Sequence, residues 1–127
     1  MKKELNKKSN QVTVLLQGSY TVDSDVLKKF IREEHCPLFY NLDDSGIIRF
    51  DWFLDENEKT GTLIEIFEDS KHWEELGGKV LDSPIFVKLN ELFKIEKITV
   101  LGDISEAWKT KIQAMNPIHQ SYIGGIN

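Results

Sequence analysis

The sequence predicts one α+β domain, with helices covering one face of an antiparallel sheet. Three observations lead there. Patterned segments succeed one another as strand, helix, strand, strand, helix pair, strand, helix and short strand, an order that suits an antiparallel sheet with its helices to one side. The stretch Ile47–Gly78 reads as two aromatic-rich strands around a polar turn, followed at once by a helix start. A chain of 127 residues is long enough for one core and too short for two domains.

Met1–Asn10 is lysine-rich and polar, and reads as a disordered basic tail ahead of a domain spanning residues 11–127. Gln11–Val22, rich in Val, Thr, Leu and Tyr, is the first strand. Val12, Val14, Leu16 and Tyr20 form its more apolar face, and Gly18 marks a bulge or a close backbone approach. Asp23 or Ser24 caps a helix over Val26–His35 whose apolar side is Val26, Leu27, Phe30 and Ile31. Pro37 predicts an end near Cys36. That leaves 37–46 as an irregular segment whose adjacent aromatics, Phe39 and Tyr40, need cover.

Ile47–Leu54 and Thr62–Phe67 are the hairpin strands, joined by the polar run DENEKTG. Ile48, Phe50, Trp52 and Leu54 share one face of the first; Leu63, Glu65 and Phe67 share one face of the second. Both strands carry apolar groups on both faces, so both faces of the sheet are expected to be covered, the second by another subunit. Asp69 or Ser70 caps a short helix, Lys71–Leu76, which Gly77 and Gly78 end. Ser83 and Pro84 open a helix reaching Phe93. Glu96–Leu101 is a fourth strand, Ser105 caps a helix over Glu106–Met115, and Gln120–Ile126 holds a short terminal strand.

A net charge of −5 lacks the basic footprint of a nucleic-acid binder and disfavours an anionic membrane as partner. No apolar run reaches the length of a secretory signal or a membrane span, and a cytoplasmic location is the default expectation. The single cysteine, Cys36, excludes an intrachain disulfide, and its place at a helix C-terminus gives no reason for a reactive thiol. His35, His72 and His119 are scattered, without HxH or HExxH spacing, and no glycine-rich phosphate motif or GxSxG elbow occurs. Neither a metal nor another cofactor is therefore expected.

The chemical candidates each carry a plainer alternative. His35 is either a helix-end or surface residue or a general base, and the same choice holds for His72. His119 reads as a surface residue. Trp52 is either core or an aromatic wall against a planar ligand. Trp73 lies one residue from His72, so the two side chains diverge by about 100° and do not act on one atom of a regular helix. Glu65 is a carboxylate in an apolar strand: buried, its pKa would rise and it could act as a base, but a cross-strand pair with Arg49 or a lysine is the preferred reading.

Several stretches together resemble the antibiotic biosynthesis monooxygenase domain of the dimeric α+β barrel superfamily. They are GIIRFDWFLDENEKTGTLIEIFEDSKHW, LGGKVLDSPIFVKLNELF, ITVLGDIS and the closing AMNPIHQSYIGGI. The resemblance runs from about Val12 onward. It implies a ferredoxin-like monomer, a homodimer made by face-to-face packing of two sheets, and a ligand cavity between helices and sheet. It also implies cofactor-independent oxygenation of a small aromatic or quinol-type substrate, with His72 and His35 as catalytic candidates and Trp52, Trp73, Phe39, Tyr20 and Glu65 lining the pocket. The alternative is a non-catalytic dimeric module of the same fold that binds a small apolar ligand or a partner protein. Two departures stand out. Haem-degrading relatives carry a late histidine where this chain has Val87, Lys88, Leu89 and Asn90, and the early-strand asparagine of several enzymes is absent, the first strand offering Gln17.

Overall fold

The computed structural model describes residues 3–127. In chain order its elements are β1 (Leu5–Asn6), β2 (Val12–Ser19), α1 (Ser24–Phe30), a π-helical turn (Ile31–His35), α2 (Cys36–Tyr40), β3 (Ile47–Asp55) and β4 (Thr60–Phe67). There follow α3 (Ser70–Val80), α4 (Pro84–Leu92), β5 (Lys94–Leu101), α5 (Glu106–Ile112), a 3-10 turn (Gln113–Met115), β6 (Ile118–Gln120) and β7 (Gly125–Ile126).

The main sheet runs β3-β4-β2-β5-β6, antiparallel throughout except for β6, which runs parallel to β5. Strands β2–β5 with their intervening helices make the ferredoxin-like arrangement that the resemblance implied, with β2 at its centre. The register sorts the side chains by face. Phe50, Glu65, Val14 and Val100 stand in one row across the sheet. Their row belongs to the helix-covered face, where Val12, Val14, Leu16, Leu63, Phe67, Ile98 and Val100 are buried. Arg49, Ile66, Thr13 and Leu101 form the next row, on the opposite face. No helix among the described residues covers that face, and Leu15, Ile64 and Ile66 stay only half-buried there.

Two apolar clusters fill the covered side. The larger joins β2, β4 and β5 to Phe39, Trp73, Leu76, Trp108 and Ile112. The smaller joins Tyr20, Leu27, Phe30, Ile31, Leu89 and Phe93, and Trp52 and Ile95 pack against both. Asp69 and Ser105 cap α3 and α5, accepting from the N–H groups of His72 and Trp108. Gly18 sits at a register shift between β2 and β5, where an added Cβ would collide with the Lys94 carbonyl oxygen. Both readings of that glycine hold, the bulge and the close approach.

Four departures from the sequence expectation have physical causes in the packing and pairing. The first long helix does not end before Pro37. It widens into a π-turn, where the Cys36 N–H reaches back five residues to the Ile31 carbonyl, and then resumes as α2 with Pro37 in its first turn. A proline tightly wound on the preceding turn would press on the carbonyl four residues back, and the wider turn relieves that clash. Phe39 and Tyr40 are therefore helical, with Phe39 buried and Tyr40 exposed.

Gly77 and Gly78 do not end α3, which runs on to Val80. The bare backbone of Gly77 admits the Trp108 ring, so packing overrides the weak helix propensity of glycine. The expected basic tail is not wholly free. Met1 and Lys2 lie outside the described residues, but Leu5–Asn6 pairs with Gly125–Ile126, closed by reciprocal backbone bonds between Glu4 and Asn127. The expected terminal strand is thereby two short ones, β6 on the main sheet and β7 on β1.

Candidate active site

A cavity of about 80 Å³ lies between the covered face of the sheet and the helices. The strands contribute Val14, Leu16, Leu63, Glu65, Phe67, Ile95 and Ile98. The helical side contributes His35, Phe39, Trp73, Leu76, Val80, Leu81, Phe86, Leu89, Ile112 and Met115. Among the described residues His35 and Glu65 are the only ionisable side chains in this wall, which otherwise has the apolar character of a small-molecule site.

His35 ends the π-turn and is 3% exposed, not the surface or capping residue that its helix-end position suggested. Its ring stacks on Phe30 at 5.3 Å between centroids and meets Phe39, Phe50 and Trp52 edge-on at 5.0–5.7 Å. This apolar burial pushes its pKa down to about 4, so the ring is neutral near pH 7. The Trp52 indole N–H donates to His35 Nδ1 at 3.0 Å. An indole can only donate, so Nδ1 must be the bare nitrogen and the ring proton sits on Nε2. Among the described residues no side chain or backbone group pairs with Nε2, and that nitrogen keeps some accessible surface.

Glu65 is the second polar group. The preferred reading, a pair with Arg49, does not hold. Arg49 lies on the open face and bonds Asp51 along its own strand, whereas Glu65 stands between Val14 and Phe50 on the covered face. Among the described residues no cation pairs with the Glu65 carboxyl, and burial alone pushes its pKa up to about 7. Its side chain is half-buried and borders the cavity. A carboxyl poised near neutrality inside an apolar chamber suits proton abstraction.

The other candidates divide cleanly. Trp73 and Phe39 line the cavity, and Trp73 meets Trp108 edge-on at 5.4 Å between ring centroids. Trp52 is absent from the cavity wall and stands behind His35, holding it. Tyr20 belongs to the other cluster, its hydroxyl 2.8 Å from Ser24 Oγ, and does not border the cavity. His72 does not border the cavity, its side chain diverging from that of Trp73. Its ring Nδ1 lies 2.8 Å from the carboxylate of Asp69, the cap of α3, and that hydrogen bond holds its pKa above the usual imidazole value. Val80 and Leu81 escaped the sequence reading because the helix was expected to stop at Gly77. Phe86, Leu89 and Met115 were visible only as apolar stripes.

Comparison with solved structures places this architecture. MupZ from Pseudomonas fluorescens superposes with a TM-score of 0.67 at 12% identity, over 90% of this chain and 91% of that one. SnoaB, a cofactor-independent oxygenase from Streptomyces nogalater, was compared as a point mutant and gives 0.60 at 13% identity, over 76% and 96%. A proposed antibiotic biosynthesis monooxygenase from Nitrosomonas europaea gives 0.55 at 13% identity, over 78% and 95%. The chain has an antibiotic biosynthesis monooxygenase-like fold. No family model matches it, and no curated protein matches it in sequence. At these identities the likeness is one of fold and does not extend to activity. Among the described residues no helix is long and apolar enough to cross a membrane, and no cluster of three or more His, Cys, Asp or Glu side chains is placed to hold a metal ion.

Proposed function

We propose that the chain is a cofactor-independent monooxygenase of a small aromatic or quinol-type substrate. The observation that carries this reading is the unpaired Glu65 carboxyl in a cavity otherwise walled by apolar groups and a neutral histidine. Glu65 takes the proton of a hydroxyarene, and the electron-rich anion passes one electron to dioxygen. The two radicals join as a carbon–oxygen bond at a ring carbon still bearing hydrogen. The peroxide is protonated, that carbon loses its hydrogen as a proton, and the O–O bond breaks. The products are a quinone carbonyl and water, which accounts for both oxygen atoms of dioxygen. Exclusion of bulk water by the apolar wall favours the charge-separated steps over side reactions. His72 has no part in this reading.

Oxygen uptake over a panel of hydroxyarenes and quinols is the direct test. Turnover is expected, with a loss of about 10²-fold or more in Glu65→Gln, the usual scale of a removed general base. Uptake no faster than in buffer, with thermal stabilisation by the same compounds, would establish instead the non-catalytic binding module.

The proposal includes a homodimer formed by the open sheet face. Leu15, Ile64, Ile66, Leu101 and Phe53 alternate there with Thr13, Thr62, Thr99, Arg49 and Asp51, a composition suited to burial against a second copy. Light scattering is expected to give twice the chain mass, and a monomer at micromolar concentration would refute the arrangement.

A further inference from the structure

The cavity holds two polar groups of opposite sense, and among the described residues Glu65 has no partner and His35 has none at Nε2. Glu65 offers acceptor oxygens. His35 cannot act as acceptor at Nδ1, because Trp52 already donates there, and so presents the Nε2–H. The volume sets a second constraint. At about 80 Å³ the space is smaller than the roughly 150 Å³ cavity known to admit benzene. One ring enters only if adaptable wall groups such as Met115 yield, and a fused polycycle would require the helices to move.

We infer that the cavity takes a single-ring dihydroxyarene, with one hydroxyl donating to Glu65 and the second oxygen accepting from His35, which Trp52 holds as a fixed donor. This rests on the reading of the cavity as the substrate site. His35 then fixes the far oxygen, and with it the ring, while Glu65 removes the proton from the near one. Trp52 is a positioning residue, acting through the tautomer and touching no substrate. The apolar wall supplies stacking surface in Phe39 and Trp73 but no further hydrogen bonds, which explains why a ring with two oxygens is preferred over a bare one.

Titration under nitrogen separates binding from turnover. The probes are hydroquinone, resorcinol, catechol, phenol and toluene, read by ligand-detected NMR and thermal shift. The best dihydroxybenzene is expected to bind about tenfold or more tightly than toluene, the scale of hydrogen bonds made in a desolvated site. His35→Phe, close in shape and suited to its aromatic surroundings, is expected to lose that preference while still binding toluene, which also reports that the variant is folded. A long-range ¹⁵N–¹H correlation is expected to show His35 as the Nε2–H tautomer, with the preference lost in Trp52→Phe.

Four results would each overturn the inference: an Nδ1–H tautomer in the wild type, equal affinity for toluene and the dihydroxybenzenes, undiminished dihydroxybenzene binding in His35→Phe, or no dihydroxybenzene binding at all. The expected anaerobic pattern without oxygen uptake in air would leave the inference standing and remove the monooxygenase reading. Turnover of a hydroxyarene unaffected by His35→Phe would do the reverse.

Discussion

Replacing Glu65 with Gln is expected to make the stability of the fold strongly pH-dependent between pH 4 and 6.5, where the wild type is nearly flat. The flatness comes from two opposing groups. Glu65 has a folded pKa of about 7 against an ordinary 4.5, so the folded state holds its proton more tightly. Its contribution to stability is complete below pH 4.5 and is lost as pH rises towards 7. His35 has a folded pKa of about 4 against an ordinary 6.5, so the folded state rejects the proton that the unfolded chain accepts. Its contribution is complete above pH 6.5 and is lost as pH falls towards 4.

Between 4.5 and 6.5 the folded and unfolded states therefore each carry one proton on this pair, and the slopes cancel. Glu65→Gln leaves His35 alone and should gain about 3 kcal/mol of stability as pH rises from 4 to 6.5. His35→Phe leaves Glu65 alone and should lose about 3 kcal/mol as pH rises from 4.5 to 7. Urea unfolding of the three proteins across this range checks both, because the remaining titrating groups are common to all of them. Parallel stability curves would mean that neither group is buried as described.

Gly77→Ala and Gly78→Ala are expected to change stability in opposite directions, although the two glycines are adjacent in α3. A Cβ at Gly77 would lie 2.5 Å from Trp108 Cζ2, so the indole and α5 behind it must shift. Overpacking of this kind costs about 1–3 kcal/mol. A Cβ at Gly78 meets nothing within 4 Å, and there alanine should add about 0.5–1 kcal/mol through its helix propensity and the smaller entropy of the unfolded chain. Thermal or urea unfolding of the two single variants decides the matter. A destabilised Gly78→Ala would show that the helix needs a break at that point after all. Among the described residues the buried Trp108 indole N–H has no partner, which leaves the indole no hydrogen bond to anchor it against such a push.

What could be read in the sequence was whatever repeats within a few residues. The alternation in Ile47–Leu54 and Thr62–Phe67 marked the hairpin, and its parity put Glu65 with Leu63 and Phe67, as in the structure. The caps at Asp69 and Ser105 were visible for the same reason. The segment order carried the α+β architecture with its helices on one face of the sheet.

What escaped is non-local. Parity groups Arg49 with Asp51 but does not say which face of β3 aligns with the Glu65 face of β4. That depends on the register shift between Ile47 and Arg49. The run of α3 through two glycines depends on the Trp108 indole, three elements further along the chain. The pairing of Leu5–Asn6 depends on residues at the far end of the chain. Most consequential for the site, Pro37 in IREEHCP reads as a helix end and does not announce a helix that widens and continues. The inward aim of His35 was accordingly hidden behind the ordinary expectation for a residue at a helix end.

A π-turn is an α-helix carrying one residue more than its regular winding needs, and this ties the chemistry of the cavity to a residue count. Arg32, Glu33 and Glu34 are exposed, so exchanging any of them leaves the winding intact. Removing one would let the helix close to regular pitch, rotate every following side chain by about 100° and press the ring of Pro37 onto the turn before it. His35 would swing away from both Trp52 and Glu65. A single codon lost from a solvent-facing stretch would thus disarm the site, where three substitutions in the same stretch would not.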